Sequence, residues 1–88
     1  MTTDKLDELD PGTSAYKILC YLAFRDAKAK PQDISNALGE NASTVRARLA
    51  ELKKDGLVDA RPDGYVATVK AYDIIMKIYR DLRKEFRS

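Results

Sequence analysis

The side chains best suited to chemistry in this sequence are basic and hydroxyl groups that lie between residues 42 and 54. The basic ones are Arg46, Arg48, Lys53 and Lys54. Only Glu51 opposes them, so this stretch carries a net charge of +3. Guanidinium and ammonium groups bind anions, and the planar fork of arginine donates two parallel hydrogen bonds to one partner. The stretch therefore indicates recognition of a negatively charged molecule.

The sequence offers little for catalysis. It contains no histidine and one cysteine, Cys20, which excludes Cys/His zinc sites, cysteine–histidine nucleophile pairs and serine–histidine–aspartate triads. No spacing among its tyrosines, serines and carboxylates suggests another active site. We therefore predict that the protein is not an enzyme and has no catalytic residues, no metal and no cofactor. The single cysteine also excludes an internal disulfide.

Length and composition predict one globular domain. The chain has 88 residues, of which 44% are hydrophobic and 34% are charged, a balance that argues against disorder. Its net charge of +2 is unevenly distributed: residues 1–12 carry −3, which leaves +5 for residues 13–88. No apolar run approaches the ~20 residues of a membrane helix, and the acidic N-terminus is unlike a signal peptide. We therefore expect a cytoplasmic protein that does not bind membranes.

Chain-breaking residues and hydrophobic periodicity divide the sequence into elements. The turn signal Asp10-Pro11-Gly12 predicts a flexible acidic segment over residues 1–12, with at most a frayed helical turn, followed by a domain over residues 13–88. The predicted helices span about residues 14–27, 31–38, 42–55 and 69–87, the last of them capped by Thr68. Predicted strands at 57–61 and 65–69 flank the turn Pro62-Asp63-Gly64 and form a hairpin.

This order of elements is that of a winged helix-turn-helix. The predicted fold is α+β but mostly α, with a three-helix core, a β-hairpin wing and a long C-terminal helix. Gly39 permits the sharp turn between the two central helices. Their predicted buried faces are Ile34, Ala37 and Leu38 on one helix and Val45, Leu49 and Leu52 on the other.

The first and last helices carry more apolar residues than one core needs. Along the last helix, one apolar line consists of Ala71, Ile75, Ile78 and Leu82. A second, neighbouring line consists of Tyr72, Met76, Tyr79 and Phe86. We expect this second line to meet its copy in a homodimer, with part of the first helix packed beneath the partner's last helix. The predicted dimer contacts are Tyr16, Cys20, Phe24, Tyr72, Met76, Tyr79 and Phe86.

One continuous segment resembles known proteins. It combines Leu38-Gly39, a cap formed by Asn41 and Ser43, Thr44-Val45, the Leu49-x-x-Leu52 spacing and Gly56-Leu57-Val58. This pattern resembles the recognition-helix-to-wing segment of the MarR and ArsR types of prokaryotic transcription regulator. The resemblance extends over about residues 14–87. The chain lacks the extra helices that hold the effector pocket of full-length MarR proteins, so no effector ligand is carried over.

The resemblance implies that helix 42–55 lies in a DNA major groove. Arg46 alone among the positions facing base edges has the fork that suits guanine. Ser43 and Thr44 are placed to donate to phosphate, and Arg61 matches a wing arginine that enters the minor groove. The implied DNA-binding residues are Ala42, Ser43, Thr44, Arg46, Ala47, Arg48, Lys53 and Arg61.

Three hypotheses follow for the function. The leading one is a homodimeric, sequence-specific regulator that binds double-stranded DNA in an archaeal or bacterial cytoplasm, associated with the nucleoid. The second is a chromatin-type winged-helix protein that binds DNA with little sequence preference. The third is a winged helix used only for protein interaction, which does not account for the +3 charge of the recognition helix.

Overall fold

The computed structural model describes residues 2–86, with side chains from residue 5 onward. Its elements are α1 (Thr2–Glu8), α2 (Ser14–Arg25), α3 (Pro31–Leu38), α4 (Ala42–Lys54), β1 (Val58–Arg61), β2 (Gly64–Ala67) and α5 (Ala71–Glu85). This arrangement confirms the mostly helical winged-helix fold. Met1 and residue 87, the predicted end of the last helix, lie outside the described residues. Within the described part, no helix has the length and apolarity needed to cross a bilayer.

Local hydrogen bonds explain where the helices begin and end. The Thr13 hydroxyl accepts from the Tyr16 N–H at 3.3 Å and begins α2, which ends at Arg25 because Asp26 adopts the left-handed conformation with φ 53°. This end comes two residues before the predicted one. Gly39, with φ 68°, terminates α3, and the Asn41 side chain accepts from the Ser43 N–H at 2.9 Å to begin α4.

The wing is a short antiparallel hairpin that is braced by the loop before α3. Its register pairs Val58 with Ala67 and Arg61 with Gly64. Ala29 adds a bridge to Tyr65, with N···O distances of 3.0 and 2.8 Å. A Cβ at Gly64 would lie 2.9 Å from the Ala29 backbone, so this close approach requires glycine.

The start of the last helix differs from the prediction. Thr68 does not cap α5, because its hydroxyl donates to the Gly56 carbonyl at 2.7 Å and ties the end of the hairpin to the end of α4. The N-cap is Lys70, whose backbone N–H donates to the Asp73 carboxylate at 2.9 Å. The helix therefore begins at Ala71, two residues later than predicted.

The core lies where α2, α3, α4 and the first strand meet. The predicted inward residues of α4, Val45, Leu49 and Leu52, are all buried. Their neighbours in the core include Ile18, Leu19, Leu22, Ile34, Leu57 and Ile74. The prediction that Ala37 is buried is wrong, because the short helix α3 presents only Ile34 and part of Leu38 to the core.

The N-terminal helix contributes a residue to the core that the sequence did not predict. The side chain of Leu6 is fully buried, and the Arg80 Nε donates to the Asp7 carboxylate at 3.2 Å, which joins α1 to α5. The Asp10 carboxylate accepts from the Gly12 N–H at 3.0 Å and shapes the turn that folds α1 back. The expectation of at most a frayed helical turn in residues 1–12 is wrong, because Thr2–Glu8 form α1 and Leu6 packs into the core, whereas the mobility of this segment stays a prediction.

The last helix buries a charged side chain as well as an apolar one. Its buried positions are Ile74 and Lys77, and the Lys77 side chain is 1% exposed. The Lys77 Nζ lies 2.8 Å from the Asp81 carboxylate and 5.6 Å from the centre of the Tyr16 ring. The pair is tolerated there because a nearby carboxylate and an aromatic face replace the water that the ammonium loses.

Candidate nucleic-acid interface

The exposed face of α4 is held by the packing of its opposite face. Val45 and Leu49 are buried against α2 and α3, with Ile34 of α3 in the same cluster. The i, i+4 spacing of Val45 and Leu49 leaves the intervening positions outward. This packing presents Arg46 and Ala47 to solvent on one surface.

The turn between α3 and α4 is clamped by Glu40. The Glu40 carboxylate accepts from the Ser14 hydroxyl at 2.9 Å and lies 3.7 Å from the Lys17 Nζ, which fixes the turn to α2. Its backbone carbonyl accepts from the Ser35 hydroxyl of α3. Glu40 thus ties the turn before α4 to both α2 and α3. The sequence analysis missed this role, although a lone carboxylate directly before the Asn41 cap was the available signal.

The two arginines of α4 differ in their surroundings. Arg46 is exposed and, among the side chains of residues 5–86, has no carboxylate partner. An Nη atom of Arg48 lies 3.0 Å from the Glu51 carboxylate, and its buried Nε has no hydrogen-bond partner. Of the two, Arg46 is therefore the arginine whose guanidinium has no competing carboxylate among the described side chains.

The beginning of α4 is small and polar. Ser43 and Ala47 are exposed, whereas Ala42 and Thr44 are half-buried. The Ser43 hydroxyl donates to the Asn41 side chain at 2.6 Å, so it must change partner before it can donate to phosphate. Asn41, which the sequence identified only as a cap, thus also controls the hydroxyl nearest the helix N-terminus.

The remaining predicted basic contacts lie at the far end of α4 and on the wing. Lys53 is exposed. Arg61 lies 3.5 Å from the Asp59 carboxylate, so its charge is partly neutralised. Lys28 pairs with Asp63 at 3.2 Å, and this hydrogen bond lowers the pKa of the Asp63 carboxyl below its usual value. The wing therefore adds less positive charge than α4 does.

The predicted dimer residues fall on two separate surfaces. The first, which we call the α5 stripe, points away from the core and consists of Tyr72, Ile75, Tyr79, Leu82 and Phe86, all exposed. Ile75 and Leu82 belong to this stripe although the periodicity predicts them in the other apolar line, and Met76 is half-buried beside the stripe. The spacing of three and four residues along the stripe is the signal that could have identified it.

The second surface, the α2 groove, is lined by side chains of α2 and by the end of α3. Its floor consists of Tyr16, Cys20, Tyr21, Phe24 and Leu38.

Burial raises the pKa of the Cys20 thiol. A hydrogen bond with Tyr16 and the charge of Lys77 act in the opposite direction but do not cancel the effect of burial. A thiol with a raised pKa is a poor nucleophile at neutral pH. Among the described side chains, no cluster of metal-ligating residues is present.

Comparison with known proteins agrees with this geometry. A family model described as "Winged helix-turn-helix transcription repressor, HrcA DNA-binding" matches residues 13–81. No curated protein matches the chain. Among solved structures, the activation domain of the phage T4 transcription factor MotA is similar, with a TM-score of 0.68 and 22% sequence identity. The match covers 96% of this chain and 88% of that one, and at this identity it shows the fold alone.

Proposed function

Because this chain belongs to the family of winged helix-turn-helix transcription repressors with an HrcA-type DNA-binding domain, we propose that it binds specific duplex DNA sequences as a homodimer. The family is a class of DNA-binding regulators and not of enzymes. Beyond membership of this family, we propose that DNA binding is sequence-specific, that the protein is a homodimer and that it resembles MarR and ArsR regulators. The proposal places the protein on the nucleoid in the cytoplasm of an archaeon or bacterium.

The observation that carries the proposal is the exposed side chain of Arg46. Its side chain is exposed on α4 and has no carboxylate partner among residues 5–86. Its neighbours Ser43 and Ala47 are small, so α4 can approach the base edges closely enough for a bidentate contact with guanine. The phosphate contacts come from Arg48, Lys53 and the α4 N-terminus, with Arg61 of the wing at the minor groove.

The α5 stripe supports the dimer. Each of its five side chains is at least half exposed, so two copies can bury a continuous apolar strip when they meet. Its spacing of alternating three and four residues is that of helices that pack side by side. A two-fold contact between stripes leaves both α4 helices free, so one dimer can occupy two half-sites.

Arg46→Ala tests the proposal. We expect this variant to weaken binding to a site selected from random duplex DNA by roughly 5- to 150-fold, since a bidentate base contact contributes about 1–3 kcal/mol of discrimination. Binding to scrambled duplex should fall much less. The measurement is a pair of titrations on the two duplexes at two salt concentrations.

Arg48→Ala is the matched control, because it removes a second arginine from the same helix. We expect it to weaken both duplexes about equally, as loss of a phosphate contact does. Equal losses on the two duplexes for Arg46→Ala would contradict base reading by Arg46. A selection that enriches no sequence would favour the chromatin-type alternative.

A further inference from the structure

The α2 groove is an apolar surface that the DNA-binding proposal does not use. It has a volume of about 420 Å³ and runs along α2 from Tyr16 to Arg25. The core beneath it is complete, because Leu19, Leu22 and Ile34 are fully buried. Phe24 nevertheless remains 50% exposed on the groove floor. An exposed apolar patch with charged edges is typical of an interaction site.

The shape of the groove suits a helix better than a small molecule. It is open along one side, whereas small-molecule sites enclose most of the ligand surface. Its floor side chains Tyr16, Cys20 and Phe24 follow one another at intervals of four residues on α2. A second helix laid along them can place its own i and i+4 side chains between these positions.

Each end of the groove carries a basic side chain. Lys17 lies at one end, with a carboxylate partner, Glu40, at 3.7 Å. At the other end, the Arg25 guanidinium stacks over the Tyr21 ring at 5.1 Å and, among residues 5–86, has no carboxylate partner. Eight residues separate the two cations, about 12 Å along a helix. The occupant should therefore carry an acidic side chain opposite Arg25, and a second one about two turns away can share the three N–H donors of Lys17 with Glu40.

The charge of the groove argues against a second copy of α5 as the occupant. The exposed C-terminal end of α5 carries Arg83 and Lys84 as well as Glu85, so it offers more positive than negative charge to Lys17 and Arg25. The carboxylate of Asp81 already binds Lys77. In addition, the α5 stripe lies on the side of α5 opposite Lys77, and Lys77 is the residue that contacts Tyr16 of α2. Within one chain, the stripe and the groove therefore face different directions, so a contact between two stripes does not use the groove.

We propose that the α2 groove binds an amphipathic helix of another protein, with an apolar stripe on the groove floor and acidic side chains paired with Lys17 and Arg25. This contact is separate from the DNA-binding face of α4 and from the α5 stripe. It gives the DNA-bound dimer a surface with which to recruit a second protein.

The test is a selection from a displayed library of peptide helices of about 14 residues, or four turns, in which the apolar stripe and the flanking charges are randomised. The target is the full chain without DNA. We expect enriched helices with Asp or Glu about two turns apart. They should bind Arg25→Glu at least tenfold more weakly than the unaltered protein and should lose binding to Phe24→Asp. Replacing only the acidic residue that faces Arg25 with lysine should restore binding to Arg25→Glu.

Cys20 provides a second readout, because it is the single cysteine of the chain and lies on the groove floor. A selected helix should slow alkylation of Cys20 by a maleimide severalfold. The matched control is Tyr79→Asp in the α5 stripe, which should bind the selected helices as the unaltered protein does. Circular dichroism melts establish that each variant is folded.

Three results would overturn the proposal. One is a selection that enriches no helix above background or enriches basic flanks. Another is that the enriched helices lose binding to Tyr79→Asp but not to Phe24→Asp. The third is dissociation of the homodimer by Phe24→Asp, which would make a second copy the occupant. None of these results depends on DNA, so the proposed DNA binding stands or falls separately.

Discussion

At the scale of single residues, Glu40 connects the fold to the proposed function. Its carboxylate reaches Ser14 and Lys17 of α2, and its carbonyl reaches Ser35 of α3, all from the turn that precedes α4. A groove-reading helix must be held within a fraction of an ångström of its productive position. We therefore expect the clamp to position Arg46 in the proposed DNA complex.

Glu40→Ala separates positioning from charge. Removing a carboxylate near a basic DNA-binding face should by itself strengthen DNA binding, because less charge repels the phosphates. We expect the opposite, a severalfold weaker affinity for the selected site, together with a loss of about 1 kcal/mol in the free energy of unfolding. Urea unfolding and DNA titration measure the two effects.

Glu51→Ala is the control for this prediction, because Glu51 pairs with Arg48 on the exposed face of α4 and holds no turn. It should strengthen DNA binding slightly. If Glu40→Ala also strengthens binding to the selected site, the positioning role of Glu40 is wrong.

Lys77 marks the limit of what residue types alone could predict. Its charge is typical of a solvent-facing helix position, yet its side chain is buried between Asp81 and the Tyr16 ring. Nothing in the spacing of α5 indicates this, since the stabilising ring belongs to α2. The burial is a property of the packed pair of helices.

At the scale of elements, the sequence predicted α4 well and α5 poorly. In α4, the apolar positions form one narrow face, so Val45, Leu49 and Leu52 could face only inward. In α5, two apolar lines compete, and local periodicity does not decide which meets the core. Ile74 and Lys77 pack into the core, whereas Ile75 and Leu82 lie on the exposed side together with the tyrosines. The burial of Leu6 in α1 escaped prediction because it depends on contacts with the distant α5.

The orientation of α5 leads to a prediction about assembly. Tyr79 lies in the middle of the α5 stripe and is 54% exposed in the single chain. Tyr79→Asp should dissociate the dimer, because it places an unpaired charge in a seam from which water is excluded. In sedimentation at micromolar concentration, the unaltered protein should have about twice the 9.9 kDa chain mass, and the variant should have the chain mass.

Phe24→Asp is the matched control for assembly, since Phe24 is similarly exposed but lies in the α2 groove. It should remain dimeric. An unaltered protein that sediments as a monomer at these concentrations would refute the dimer.

At the scale of the whole molecule, charge is divided between two regions. Residues 1–12 are acidic and the remainder is basic, while the carboxylates Asp59, Asp63 and Glu51 are each engaged by a nearby cation. Among the described side chains, the exposed cations of α4 without a carboxylate partner are Arg46, Lys53 and Lys54, and others lie on α2 and α5. In the proposed dimer, each subunit would present this basic helix to DNA.

The salt dependence of DNA affinity tests the central claim, that this chain binds duplex DNA as a dimer through α4. With about four phosphate contacts per subunit, a dimer neutralises roughly eight phosphates, so log affinity against log salt should fall with a slope near −7. The measurement is titration of the selected duplex at several salt concentrations. A slope near −7 that falls in magnitude by about one per subunit in Arg48→Ala is the expected result. A slope close to zero would contradict DNA binding and would leave protein interaction as the function of this winged helix.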